Sequence, residues 1–347
     1  MTVLWMRHEV RTTERRAPIV PGDAKTLVEA GVPVTVEDSP QRVFPIGDYA
    51  AAGCAVVAAG SWVDAADDVI VVGLKELPDE PARLRHRHIY FGHAYKGQDG
   101  AGELLQRFTD GGGALLDLEY LTEATGRRLA AFGYWAGYVG AALAVLQLRG
   151  TLRTPLRPQT RAELDAAIAG HGDDTKALVT GALGRSGRGA RDALAVAGIE
   201  PTAWDLAETR VLDKAALIAH DILVNGVLTV EPVPPFLTDA DLDDPARRLR
   251  VISDVTCDVT SDCNVLPVYD RITDWDEPAR ALRADNPVDI IAIDNLPSLL
   301  PREASTAFSA DLLAHLLKLG QVGADDSGPW ARALGHFHAA VKENGHG

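Results

Sequence analysis

The chain has 347 residues, 46% hydrophobic and 24% charged, with a formal net charge of −15 at pH 7; this length suits two ordinary cores better than one large one, and the charge, with no basic block against it, speaks against a nucleic-acid partner. Three cysteines, Cys54, Cys257 and Cys263, form neither a CxxC pair nor a disulfide framework, so reduced thiols in the cytoplasm and no metal centre are expected. The start is charged and no apolar run reaches membrane-spanning length, so neither a signal peptide nor a membrane partner is expected.

Residues 2–6 and 32–36 read as strands flanking a helix over 21–30, which Gly31 closes as a C-cap glycine does. The first strand leads into RTTERRAPIVP, where Arg11, Arg15 and Arg16 accompany Glu14. Guanidinium forks grip carboxylates bidentately, so the cluster suits an anionic organic acid, although a charged loop often signifies only solvation. Strands recur at 68–73, 87–91 and 113–118, which makes this half an α/β sheet.

The piece GLKE sets Lys75 and Glu76 just beyond one strand, and FGHAYKGQ sets His93, Tyr95 and Lys96 beyond the next. Lysine and histidine at neighbouring strand ends make an acid/base pair, each tuned toward neutrality by burial and by the other's charge. Singly, Lys75 reads as a solvated loop lysine and His93 as a structural histidine; their repeated placement at strand ends favours chemistry. Glu119, Arg127 and Arg128 extend a charged pocket fit for an amino acid.

AAFGYWAGYVGAALAVLQL, residues 130–148, reads as a buried helix joining the two domains, with Gly133, Gly137 and Gly140 allowing close packing. A polar stretch follows, and then TKALVTGALGRSGRGARDALAVAGIEPTAWD. In it a strand over 177–180 runs into Gly181, Gly184 and Gly187, then an alanine-rich helix, then a strand ending at Asp205. The glycines tighten the turn and let backbone approach a pyrophosphate, and the helix N-terminus offers it free N–H groups. Asp205 accepts hydrogen bonds from the adenosine ribose hydroxyls and repels a 2′-phosphate, which selects NAD over NADP. A purely structural crossover is the alternative. Further strands at 222–224, 250–253 and 289–293 place Asn225, Asp254 and Asp294 at carboxyl ends, where ligands of open α/β sheets collect. Residues 302–342 read as a helical tail that packs back on the first domain.

The runs GLKELP, GHAYKGQ, LLDLEYL, GRRLAAFGYWAGYVGAAL, GALGRSGRGA, WDLAET, VISDVTCDVT and IDNLPSLLPREAS, in this order, resemble the NAD-dependent, lysine-forming saccharopine dehydrogenases of the alanine dehydrogenase/transhydrogenase-like superfamily. The resemblance covers nearly the whole chain. It implies an α/β enzyme of two Rossmann-like domains with a cleft between them: a substrate domain over 1–131, completed by about 308–347, and an NAD-binding domain over 132–307. It implies oxidation of the secondary amine of saccharopine by hydride transfer to NAD, then imine hydrolysis to lysine and 2-oxoglutarate. An amino acid and a 2-oxo acid are the implied substrates, for a monomer or small homo-oligomer.

By the same resemblance the catalytic pair is Lys75 and His93, and the substrate is held by Glu14, Arg16, Glu76, Glu119 and Arg128, to which the reading of the N-terminal arginine cluster adds Arg11. The cofactor residues are Gly181, Gly184, Arg185, Ser186, Gly187, Asp205, Val224, Asp254 and Asp294. The chain also departs from the pattern. Ser186 and Val224 stand where fungal members carry a cysteine and its disulfide partner, Asn295 replaces the histidine of IDHLP, and GQDGAG replaces a KDQAGW-like run, removing an aromatic near the pocket. The chain is also shorter between Gln147 and Lys176. The alternatives are an opine-type enzyme joining another amine to a 2-oxo acid, an alanine-dehydrogenase-like deaminase, and an NAD-binding protein without catalysis.

Overall fold

The computed structural model describes residues 2–170, 174–229, 231–319 and 327–345. The chain forms two compact units, Met1–Ala131 with Ala304–Gly347, and Phe132–Glu303. The first unit runs β1 (Leu4–Met6), α1 (Pro21–Glu29), β2 (Val34–Glu37), α2 (Ile46–Ala51), β3 (Ala55–Val57), β4 (Ile70–Val72), β5 (Arg87–Tyr90), α3 (Ala101–Gly111) and β6 (Ala114–Asp117). Its six strands lie in the order β3-β2-β1-β4-β5-β6, all parallel. A parallel sheet is covered on both faces, so its strands read as short apolar runs such as the IVV of β4 and the ALLD of β6. The edge strand β3 is exposed along most of its length, and no strand was expected there. Pro21 opens α1, where its fixed φ and missing N–H suit the first turn, and Gly31 follows at φ 82°.

The second unit runs α4 (Gly133–Leu148), α5 (Arg161–Ile168), β7 (Ala177–Thr180), α6 (Arg185–Val196), β8 (Thr202–Trp204), α7 (Leu206–Thr209), α8 (Lys214–Ile218), β9 (Ile222–Asn225), α9 (Asp239–Leu242), β10 (Val251–Asp254), β11 (Arg280–Arg283) and β12 (Val288–Ile291). The sheet order is β11-β12-β10-β9-β7-β8, parallel except for β11, which runs antiparallel to β12. The strand ending at Asp205 and those expected at 222–224, 250–253 and 289–293 lie within a residue or two of their places as β8, β9, β10 and β12, whereas no strand was expected at β11.

Helix α4 is buried continuously from Gly137 to Leu146 and is the central core helix of this unit. It crosses α6 backbone to backbone: a Cβ on Gly137 would lie 1.8 Å from the carbonyl oxygen of Ser186, and one on Gly189 would lie 1.9 Å from that of Tyr134. Both crossing points require glycine.

The expected helical tail is two helices, α10 (Pro301–Leu316) and α11 (Pro329–Glu343), the second started by its own proline. Ser305 and Ser309, one turn apart on α10, accept the backbone N–H groups of Ala17 (2.9 Å) and Val20 (3.0 Å) ahead of α1. Phe337 of α11 meets Phe108 of α3 edge-on. Among the described residues no helix is long and apolar enough to cross a membrane.

Candidate active site

All strands of the first sheet point one way, so the residues after them gather at one edge. Beyond β1 stand Arg7 and Glu9. Glu9 is buried, and its carboxylate accepts the backbone N–H of Leu74 (2.7 Å) and of Lys75 (3.0 Å). Arg7 lies 3.2 Å from the same carboxylate and donates to the carbonyl of Lys75. A Cβ on Gly73 would lie 2.5 Å from Arg7 Nε, so only glycine lets the guanidinium slide beneath this turn. Burial pushes the Glu9 carboxyl up, against the pull of Arg7. The peptide N–H and carbonyl of Lys75 are thus gripped by a buried ion pair.

The β4–β5 ladder continues past both strands, through Gly73 N–H to Ile89 O (2.9 Å) and Phe91 N–H to Leu74 O (3.2 Å). Lys75 and His93 therefore leave the sheet from neighbouring strands at the same edge. His93 takes a left-handed backbone, φ 50°, an arrangement that costs a non-glycine residue on the order of 1 kcal/mol and collects at functional sites. Its Nδ1 lies 3.6 Å from Glu119, whose other oxygen is 3.0 Å from Lys96 Nζ. His93 and then Lys96 hold the Glu119 carboxyl down to about 2, against its burial. Two residues earlier, burial pushes Asp117 up to about 6, although its oxygens accept the N–H groups of Glu119 and Gly92.

Among the expected substrate residues, Arg11 pairs bidentately with Glu76 at 2.9 and 3.0 Å. Arg16 grips Glu14 the same way at 2.8 and 2.6 Å, and both are buried, so this pair is a preset element of the edge and not a solvated loop. Arg128 is exposed, in a short antiparallel bridge to Thr122.

At the carboxyl edge of the second sheet, β7 ends in Gly181 at φ 69°. The Gly184 N–H closes the turn on Gly181 O at 3.0 Å. A Cβ on Gly187 would lie 2.2 Å from Gly181 O, so only glycine lets α6 start this close to the turn, and the helix start with Ser186 and Gly187 is the kind of element that receives a phosphate. Asp205 ends β8 and accepts the N–H groups of Leu183 and Leu206, each at 2.9 Å. Leu183 and Leu206 are 71% and 62% exposed, an apolar pair around that carboxylate of the kind a flat aromatic base covers. The glycine cradle, the helix start and the fixed acid fit a dinucleotide.

Two of the expected cofactor residues are buried within the sheet. Val224 belongs to the buried core of the sheet, its side chain 1% exposed and its backbone committed to β7 and β10. Asp254 is equally buried and accepts from Asn225 Nδ2 (3.1 Å), Thr256 N–H (3.0 Å), Thr256 Oγ1 (2.7 Å) and Tyr269 OH (2.8 Å). Asn225 accepts in turn from Thr180 Oγ1 at 2.8 Å. These side chains lock the ends of β7, β9 and β10 together. Asp294 is exposed beyond β12. Sequence reasoning missed Glu9, Arg7 and Asp117, and also Gly226, which packs against Gly181 at 3.1 Å from a built Cβ; the Asn-Gly pair after β9 was the available signal for the last.

The family model for the alanine dehydrogenase/PNT N-terminal domain matches residues 5–139. The chain is 40% identical over 365 residues to saccharopine dehydrogenase (NAD(+), L-lysine-forming) of Emericella nidulans, with 97% of each chain covered. It is 38% identical over 364 residues to the protein of the same name from Schizosaccharomyces pombe, with 98% of each covered. Among solved structures it superposes on an L-alanine dehydrogenase with a TM-score of 0.72 at 16% identity, covering 99% of this chain and 100% of the other. A transhydrogenase from Sinorhizobium meliloti gives 0.65 at 17% identity, covering 92% and 95%. Both structures share the fold.

Proposed function

The chain belongs to the NAD-dependent, L-lysine-forming saccharopine dehydrogenase family, and from that premise we propose that it cleaves saccharopine oxidatively to L-lysine and 2-oxoglutarate, or runs the reverse condensation. The second unit holds NAD through the Gly181–Gly187 turn and Asp205, and the first unit holds the substrate. Bound there, NAD would supply the hydride-transfer chemistry at the carbon attached to the substrate nitrogen.

Lys75 takes the proton from the secondary ammonium, so that the nitrogen lone pair can drive hydride departure. His93 moves protons during addition of water to the imine and release of the amine, with Glu119 3.6 Å from its Nδ1. Arg7 and Glu9 fix the peptide that carries Lys75. Arg16 and Arg128 suit the carboxylates of the 2-oxo acid arm. The observation that carries this reading is the departure of Lys75 and His93 from neighbouring strands at one edge, with Glu119 beside the histidine. Three free thiols, Cys54, Cys257 and Cys263, accord with a reducing cytoplasmic setting.

The test is NADH oxidation with 2-oxoglutarate and lysine, ornithine or ammonia. Turnover with lysine, yielding saccharopine by mass spectrometry and lost in Lys75→Met, is expected. Turnover restricted to another amine would transfer the same chemistry to an opine-type reaction.

A further inference from the structure

Residues 7–20, between β1 and α1, contain neither helix nor strand, yet they carry Arg11, Glu14 and Arg16. Backbone outside a ladder must find its hydrogen-bond partners elsewhere. For the first part of this stretch many of them come from the turn after β2, where the Arg42 N–H closes on Ser39 O at 3.2 Å with Pro40 between them. Proline presets φ for such a turn. Around it, Ser39 Oγ meets His8 Nδ1 at 2.9 Å, the buried Arg42 guanidinium donates to Arg7 O at 3.2 Å, and the Val43 N–H donates to Arg15 O at 2.9 Å.

Gln41, in the middle of this turn, reaches furthest. Its Nε2 donates to three carbonyls, those of Glu9 (3.0 Å), Arg11 (2.8 Å) and Glu14 (3.0 Å). A side-chain amide has only two N–H bonds, so one hydrogen is shared, and the reverse orientation would set the amide oxygen against all three acceptors. Each carbonyl belongs to a residue whose side chain makes a charged contact of this edge: Glu9 with the Lys75 peptide, Arg11 with Glu76, and Glu14 with Arg16. Glu9 is fastened a second time through its own carboxylate, by the Leu74 N–H and by Arg7. Gln41 therefore bears most on residues 11–16, where the Glu14 N–H turns back on Arg11 O at 2.9 Å.

We propose that Gln41 is a positioning residue for the 2-oxo acid: by drawing three carbonyls to one point it sets the curl of the 9–16 loop, and with it the placement of the Glu14–Arg16 pair against a substrate carboxylate. This role rests on the reaction proposed above and on Arg16 as a carboxylate ligand within it. A bidentate guanidinium contact is geometrically exacting. Carbonyls that lose their donor to an apolar side chain turn toward water, and the loop that carries them relaxes.

Initial rates with NADH, lysine and 2-oxoglutarate test this in Gln41→Met, which keeps the length of the side chain and removes both donors. KM for 2-oxoglutarate should rise about tenfold, equivalent to one hydrogen bond at the upper end of the usual range, while KM for NADH and kcat move by less than about threefold. Arg16→Lys retains the charge and loses the bidentate grip. On that background Gln41→Met should raise KM by less than about twofold, because its route to the substrate is already cut. Gln41→Lys, which brings N–H donors back to the same carbonyls, should stay within about threefold of the parent. An unchanged KM in Gln41→Met, a rise shared equally by NADH, effects that multiply in the cycle with Arg16→Lys, or a Gln41→Lys as impaired as Gln41→Met would overturn this role. If the parent enzyme turns over no amine, the reaction reading fails by itself, and calorimetric titration of 2-oxoglutarate into the NADH-loaded protein then decides Gln41. Binding about tenfold weaker in Gln41→Met upholds the role, and equal or absent binding overturns it.

Discussion

Replacing Glu9 by glutamine tests whether the buried Arg7–Glu9 pair is what sets Lys75 in place. The carboxylate accepts two successive backbone N–H groups and faces the Arg7 guanidinium. Glutamine has one acceptor oxygen, and its amide nitrogen would face either a backbone N–H or Arg7, donor against donor. Breaking a buried ion pair by removing one charge costs about 3–5 kcal/mol, and this figure already includes much of the roughly 1–3 kcal/mol for an amide left without an acceptor. For a unit of this size each kcal/mol lowers Tm by about 2–4 °C, so a fall of about 10 °C is expected by calorimetry. A shift of the Lys75 peptide by about 1 Å corresponds to roughly 100-fold in kcat. The KM for NADH should hold, because the residues proposed for the cofactor lie in the second unit. Assays run well below the lowered Tm separate positioning from unfolding. A variant that melts within about 2 °C of the parent and keeps its kcat would refute the reasoning.

The structure makes three further predictions. His88 is fully buried against Trp62 and Phe108, neither ring nitrogen has a hydrogen-bond partner among the described residues, and burial pushes the imidazole well below its usual 6.5. A group held neutral in the fold contributes stability that is fully present above about pH 6.5 and is lost as pH falls below it, by about 1.4 kcal/mol per pH unit; His88→Phe should flatten that decline in melts between pH 7.5 and 5.5, and an unchanged slope would discount the residue. Gly189→Ala drives a Cβ to within 1.9 Å of Tyr134 O, so α4 and α6 must separate, with a loss of about 1–3 kcal/mol in urea titration, whereas Gly22→Ala, with nothing within 4 Å, should be neutral or better. Asp205→Ser should weaken NADH binding about tenfold, near 1.4 kcal/mol, and raise the NADPH to NADH ratio of kcat/KM; an unaltered ratio would remove Asp205 from the cofactor site.

How far each element could be read in the sequence depends on where its stabilising partners come from. Buried parallel strands and the glycine turn carry their own signature, since a strand covered on both faces must be apolar and Gly187 admits no Cβ. Edge strands β3 and β11 lack that signature because none of their residues is fully buried. Lys75 and His93 could be singled out because they follow strands whose ends could be placed. Glu9 could not, because its importance lies in two N–H groups 65 and 66 residues away, and a Glu in MRHEVR looks like any solvated charge. Asp254 shows the converse. Its strand-end position could be read from the sequence, but the hydrogen bond from Tyr269, 15 residues onward, could not. A strand end thus identifies which residues gather at the edge, whereas the direction each one faces is decided by partners that arrive from elsewhere in the chain. The same principle separates Asp117 from Glu119. Both sit at the end of β6, yet one is raised by burial against the pull of two backbone amides, and the other is drawn down by His93 and Lys96, so a sequence that shows two nearby acids conceals two groups shifted in opposite directions.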